Sequence, residues 1–490
     1  MVENSTRQLQ PLDLGQCRSV ADIVEAMSHC SFGARMLGEV TAQITSWIIE
    51  HRPPIAIYEG QIHTALGQVL QEMLERGWLS KILSPQQYSE HLQLDQIDQT
   101  IIVIGAYAER YAAHLHQHPH TSIFINPFGM VNPQQIADGY YPNVVFSDPN
   151  FILPVIFVAL QEKLEGKPRT VTYLIDLLEN YDGLASEVHA GAKTVLAMID
   201  DPNCTVFLTL SGAMTIAKMG LVICDMIEMG MVQGICSTGA LMAHGLVESI
   251  GLNHLKYNPN YDDSTLAQER LNRVGDTLEP DSNFCLLKKV ISSVFDHCDY
   301  KQAIGSREFN FIIGEHLSLY YPNQRGILKS AYQKNVPVFV PAFHDSELAN
   351  DIFIQNFFRE KQGKSPIIID LEKDTKFLLK IILNTQKIGI FTIGGGVPRN
   401  YIQNIAPVID YMNEVNLIDA PPKLFSYGCR ICPDPMYYGH LSGCSYSEGM
   451  SWRKMEPNGV FSEIHTDATL VWPFLVKYVI EARQTSKLAS

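Results

Sequence analysis

Beyond about residue 200, short apolar runs without alternation recur between longer stretches of helical periodicity. Residues 205–210 (TVFLTL) read as a strand, followed by a helical pattern over about 213–229 and a second strand over 232–237. Further strands are predicted at 336–341 (VPVFVP), 366–371 (PIIIDL) and 388–393 (IGIFTI), each followed by helix-like sequence. Continuous apolar strands separated by helices predict an α/β fold, a parallel sheet covered by helices on both faces. Such sheets take ligands beyond the carboxyl ends of their strands, where glycine turns let backbone approach closely. The first part of the chain differs. Residues 19–48 read as helical, 49–100 as mixed helix and loop, 100–105 and 121–126 as a strand pair, and 139–149 as loop. The stretch 164–169 (LEGKPR) reads as a linker. It divides an N-terminal domain over 1–165, α/β or mostly helical and of unreadable role, from an α/β ligand-binding domain over 166–490.

Composition narrows the partners. The chain has 490 residues, 46% hydrophobic and 18% charged, which excludes a disordered or coiled-coil protein. Lys and Arg total 37 against 52 Asp and Glu, a net charge of -15, which argues against nucleic acid and suits cationic small molecules. The opening MVENSTRQLQPLDLG carries no apolar core of a signal peptide. The longest apolar stretch, 219–247, is broken by Asp225, Glu228, Gly230, Gln233 and His244, so it reads as protein core and not as a membrane span. Ten cysteines without an export signal read as reduced thiols. The expectation is a soluble cytoplasmic protein with no membrane partner.

Two stretches could carry chemistry. Gly394, Gly395 and Gly396 follow an apolar strand, and the missing side chains let a phosphate or a cofactor ring touch backbone amides. A tight strand-to-helix turn explains them equally well, and the dinucleotide fingerprint GxGxxG is absent. Farther on, Glu448, Trp452 and Lys454 lie within seven residues. A carboxylate can hold an ammonium, an indole face can bind a cation, and a desolvated lysine can form an imine. Taken alone, they fit a surface loop around one buried Trp better than a site. Cys429, Cys432, His440 and Cys444 have spacings that a zinc knuckle could use, a minority reading beside no metal at all. His114, His116, His118 and His120 alternate, but Pro119 among them points to a solvated loop.

An ordered set of short motifs adds to this. FLTLSG at 207–212, STG at 237–239, NRVG at 272–275, PAFHD at 341–345, the glycine triplet, SWRK at 451–454 and HTDA at 465–468 run in sequence before a C-terminal helix. Over about 170–485 the chain resembles deoxyhypusine synthase and its homospermidine synthase relatives. That resemblance implies an NAD-binding fold and a transferase acting in polyamine-type metabolism. In the family, NAD oxidises an amine to an imine, a lysine takes the alkyl imine, a second amine displaces it, and the stored hydride reduces the product. Carried over, Lys454 is the covalent carrier, Trp452 packs on the alkylamine and Glu448 holds an ammonium. NAD contacts fall at Ser211, Thr238, Asp345, Gly395, Gly396, Asp467 and Ala468. Asp345 and Asp467 suit ribose hydroxyls, and Asp467 also suits a helix N-cap.

The substrate positions depart from the family. One acidic amine-binding position is Asn350, with Asp351 adjacent, and another is Leu441. A histidine after the glycine triplet is Asn400, and a glutamate near the nicotinamide is His244. Ammonium groups lose partners in such a pocket, which favours small amines with few charges. The family's dimers and tetramers imply a homo-oligomer. The alternatives are an NAD-dependent amine oxidoreductase without transfer, and a non-catalytic NAD- or ligand-binding protein.

Overall fold

The computed structural model describes residues 7–91, 99–105, 121–125, 143–296 and 302–489. These fall into two compact units. One comprises Met1–Pro11, Gly191–Leu255 and Asp262–Ala468; the other comprises Leu12–Ala190, Lys256–Tyr261 and Thr469–Ser490.

The second of these units is built on a parallel five-stranded sheet. Its strands are β1 (Ile55–Tyr58), β2 (Lys81–Leu83), β3 (Ile101–Ile104), β4 (Ser122–Ile125) and β5 (Val144–Val145), in the order β2-β1-β3-β4-β5. The expected strand pair is β3 and β4. β1 and β2 arise where the sequence reads as mixed helix and loop, and β5 where it reads as loop. β1 and β5 are mostly buried and β2 is not, but strands of two to four residues are too short to show a periodicity. The helix Pro149–Glu165 is apolar nearly all round, capped by Asp148 and closed by Gly166 at φ 67. Glu481, on the C-terminal helix Ala468–Ala489, accepts from Val171 N at 3.2 Å and Thr172 N at 2.8 Å. That carboxylate satisfies the free amides that open the helix Val171–Leu178. The histidines at 114, 116, 118 and 120 lie outside the described residues.

The first unit carries a parallel six-stranded sheet. β6 (Cys204–Leu210), β7 (Gly234–Ser237), β11 (Val338–Phe339), β12 (Lys387–Ile393), β13 (Phe425–Ile431) and β14 (Met455–Ile464) lie in the order β11-β7-β6-β12-β13-β14. Between β7 and β11 the chain forms the short strands β8 (Leu255–Lys256), β9 (Leu271–Val274) and β10 (Thr277–Pro280), the last two antiparallel. The core under the large sheet includes Phe207, Phe339, Ile388, Ile390, Ile402 and Phe425. From β6 the chain builds β7 and β11 on one side, then returns to lay β12 on the other. The order therefore reverses between β6 and β12, which opens a crevice at their carboxyl ends.

Two sequence expectations are corrected here. Residues 366–371 form no strand: Ile369 makes one isolated bridge with Ile304, Ile368 is exposed, and Asp370 caps the helix Leu371–Leu383. The helix expected over 213–229 spans only Gly220–Glu228, because Lys218 turns to φ 71 and carries its side chain into the interior. Among the described residues no helix is long and apolar enough to cross a membrane.

Candidate active site

The glycine triplet lies at the reversal point. Gly394 follows β12 at φ 78 and Gly396 follows at φ 63, a region that disfavours residues with a Cβ. Ser211, directly after β6, spans the crevice: its Oγ donates to Ile393 O at 3.1 Å and accepts from Gly395 N at 2.9 Å. A side chain at Gly395 would strike Ser442 Cα at 2.6 Å, so the loop over 432–445 can settle onto the turn only because residue 395 is glycine. Arg399 and Arg430, both buried, hold that loop down. Their guanidinium groups donate to Cys444 O at 2.6 and 2.8 Å.

Two cavities meet at this turn and share Gly396. One, about 370 Å³, has Ser211, Thr238, Asp345, Gly395, Gly396 and Asp434 among its walls. Thr238 and Asp345 follow β7 and β11 and so reach the same end of the sheet as the triplet. Five of the positions expected to touch NAD thus line one space. Asp467 and Ala468 follow β14, the edge strand, and do not line it.

The other cavity, about 330 Å³, is walled by Lys454, Trp452, Glu448, Leu441, Arg399 and Asn400, among others. Ser445 caps the short helix Tyr446–Ser451, and Trp452 ends it. Arg453 then turns to φ 55, and Lys454 N bonds back to Gly449 O at 3.0 Å. This reversal brings Lys454 Nζ to 2.8 Å from Asn400 Oδ1 and 5.8 Å from the centre of the Trp452 ring. Burial lowers the pKa of Lys454 below the ordinary lysine value, and the Arg399 guanidinium adds to the effect. Asn400 accepts a hydrogen bond without the charge that would hold the proton on. Glu448 takes a hydrogen bond from Cys444 Sγ at 3.3 Å, and Trp452 is an exposed indole at the wall, not a buried one.

Other expected substrate positions lie elsewhere. Asn350 and Asp351 sit on the helix Glu347–Lys361, outside both cavities, where burial pushes the Asp351 carboxyl up to about 6. His244 lines neither cavity. Its Nδ1 is 3.0 Å from Glu279 Oε2, which is 2.6 Å from His254 Nε2. His254 Nδ1 is in turn 2.8 Å from Lys218 Nζ, and Lys218 pairs with Glu248 at 2.6 Å. Among the described residues, His244, His254 and Glu279 are the set close enough to share an ion. The ammonium against His254 makes them part of an ion-pair chain instead. Cys429, Cys432, His440 and Cys444 do not converge. Cys429 is buried in β13, with Sγ against Gly191, while Cys444 faces Glu448 and His440 is exposed near Asp434.

Arg399, Gln403 and Asn404 line the Lys454 cavity and were not anticipated from sequence. They had a signal: with Asn400 they form a polar stripe at helical spacing just after the triplet, on the helix Gly396–Gln403.

Comparison with known sequences places this geometry. The family model described as deoxyhypusine synthase matches residues 174–479, which carry both cavities. The chain belongs to the deoxyhypusine synthase family. A "Deoxyhypusine synthase-like protein" of Chlorobaculum tepidum is 31% identical over 329 residues, covering 66% of this chain and 91% of that one. A "Probable deoxyhypusine synthase 2" of Methanosarcina acetivorans is 30% identical over 321 residues, covering 64% and 87%. Another of that name from Archaeoglobus fulgidus is 28% identical over 287 residues, covering 59% and 90%. The unit built around β1 to β5 lies largely before the segment that matches the deoxyhypusine synthase family.

Proposed function

We propose that this chain is an NAD-dependent transferase that moves an aminoalkyl group between small amines through an imine on Lys454. The observation that carries the reading is the placement of Lys454, partly desolvated and beside an indole and a carboxylate, in a cavity that adjoins the glycine turn. The walls of the first cavity fit NAD. A Cβ on Gly396 would meet nothing within 4 Å, so that turn faces open space, and the helix Gly396–Gln403 begins there with free amides suited to a pyrophosphate. Ser211, Thr238, Asp345, Gly395 and Gly396 would hold the dinucleotide, and Asp345 can accept from ribose hydroxyls. Asp467 and Ala468 are proposed contacts at the sheet edge.

When bound, NAD would supply the hydride acceptor for the donor amine carbon and, once reduced, the hydride donor for the product. Lys454 Nζ, as free amine, adds to the imine carbon so formed, and the donor's original nitrogen leaves as an amine or ammonia. The acceptor amine then displaces Lys454. The displaced Lys454 is again a free amine, and the product, reduced by the stored hydride, would be a secondary amine. Glu448 would hold an ammonium and Trp452 would cover the alkyl chain.

The Lys454 cavity has one carboxylate, Glu448, against the cations Arg399 and Lys454, with Leu441 and Asn400 completing the wall. Each ammonium brought in without a partner loses hydration that nothing replaces. Putrescine or agmatine should therefore exceed spermidine as donor by about tenfold or more in kcat/KM, roughly 1.4 kcal/mol. Steady-state rates with the three amines and NAD check this, and a preference for spermidine would contradict it. Product analysis separates transfer from simple oxidation, since only transfer yields a secondary amine.

The helix Glu347–Lys361 leaves Phe353, Phe357 and Phe358 exposed. A row of exposed aromatic rings supports burial against another copy, so a dimer or tetramer with a mostly apolar interface is expected. Sedimentation at micromolar concentration checks this, and an active monomer would overturn it.

A further inference from the structure

The six-stranded sheet has a second recess at its opposite end. A cavity of about 340 Å³ opens beside Thr205, Gln233 and Pro337, at the amino ends of β6, β7 and β11. The seven residues of β6 separate it from the glycine turn by roughly 20 Å, at the usual rise per residue. Its volume is at the small end for ligand sites.

Its chemistry is specific. Arg307 and Asn310 stand three residues apart on the helix Ser306–Tyr320, so both line the cavity from one helix face. Asn310 is 2% exposed, and its Nδ2 donates to Val338 O at 3.0 Å. Reversing the amide would set two oxygens together, so the orientation is fixed. Its Oδ1 is left without a hydrogen-bond partner among the described residues. Buried acceptors are normally satisfied. The Arg307 guanidinium lies 4.1 Å from the centre of the Phe377 ring, and one of its nitrogens, Nη2, donates to Glu308 Oε1 at 3.4 Å. That leaves N–H donors available. Phe311 and Tyr332, with ring centres 4.7 Å apart, supply an apolar wall.

We propose that this cavity binds a free apolar α-amino acid as its zwitterion. The carboxylate pairs with Arg307, the ammonium donates to Asn310 Oδ1, and the side chain packs on Phe311, Tyr332 and Phe377. A plain carboxylate leaves Asn310 unsatisfied. A plain amine gives the remaining Arg307 donors no partner and meets their like charge. In an α-amino acid the two groups sit on one carbon, which suits partners one helical turn apart. The site is separate from the Lys454 cavity and does not depend on the transfer reaction.

The test is calorimetric titration of the full chain with L-phenylalanine, 3-phenylpropanoate and phenethylamine. L-phenylalanine should bind in the millimolar range or tighter, and the two analogues, each lacking one charged group, at least about tenfold more weakly. Arg307→Gln should weaken L-phenylalanine by about tenfold or more, while Lys454→Ala leaves it unchanged. Asn310→Leu also removes the donor to Val338 O and can disturb the fold, so Arg307→Gln carries the test. Equal binding of the three probes, no binding to the wild-type chain at millimolar concentration, or binding that survives Arg307→Gln would overturn the proposal.

Discussion

Replacing Lys454 by Ala should abolish the proposed aminoalkyl transfer, lowering the rate by more than about 1,000-fold, the scale on which loss of a covalent nucleophile is felt. The same variant should bind NAD within a few-fold of the wild-type chain. The reason is spatial: Lys454 lines only the cavity on one side of the glycine turn, and the proposed dinucleotide walls lie on the other. Burial and the Arg399 guanidinium lower the Lys454 pKa, so more free amine is available at neutral pH than an ordinary lysine provides. The rising limb of the pH–rate profile should accordingly fall below the usual lysine range. Stopped-flow turnover and equilibrium NAD titration on both proteins check the two halves. Transfer that persists without Lys454 would leave the imine mechanism with no carrier.

Glu279→Gln should be the most destabilising conservative change in the unit that carries both cavities, costing about 3–5 kcal/mol. Glu279 is fully buried between His244 and His254, with Asn283 Nδ2 at 2.6 Å on its other oxygen. Two carboxylates, Glu248 and Glu279, face one ammonium, Lys218, so one extra imidazole proton brings the buried chain to neutrality. Burial works to raise the Glu279 carboxyl, but the hydrogen bonds from His244, His254 and Asn283 outweigh it and hold it at about 2. Burial likewise opposes the His254 imidazolium, as does the Lys218 ammonium beside it, but Glu248 and Glu279 outweigh both and raise its pKa. The Glu279 contribution is full above about pH 4.3, its unfolded value, and is lost as the pH falls through about 2. The His254 contribution is full below about pH 6.5 and is lost as the pH rises through its higher folded value. The gap between wild type and Glu279→Gln should be widest between about pH 4.5 and 6.5 and shrink in more alkaline buffer. Urea unfolding at about pH 5.5, in the middle of that window, and at about pH 9 measures it. A gap that does not change with pH would mean that His254 takes up no proton in this range.

Much of this site was legible in the sequence, and the rest was hidden for identifiable reasons. β6, β7 and β12 are buried on both faces and read as apolar runs, so the turns after them could be anticipated, and Ser211, Thr238 and Gly395 converge there. β14 is an edge strand with Pro457, Asn458 and Val460 exposed, and β13 contains Tyr427, Gly428 and Arg430, so neither resembles a buried strand. The run 366–371 looks more like a strand than either, yet serves to cap a helix. Near-neighbour chemistry, such as Glu448, Trp452 and Lys454 on one loop, survives in sequence order. The ion chain does not, because Lys218, Glu248, His254 and Glu279 come from separate elements, and only the fold brings them within hydrogen-bond reach. His244 shows the consequence: by resemblance it is a substrate position, but here its ring is turned to Glu279.

The most direct measurement is mass spectrometry of the full chain incubated with NAD and putrescine or agmatine, then reduced with borohydride and digested. An aminoalkyl adduct is expected on the peptide that carries Lys454, dependent on NAD and absent from Lys454→Ala. An adduct on a different lysine, or secondary-amine product formed with no trapped adduct on Lys454, would contradict it.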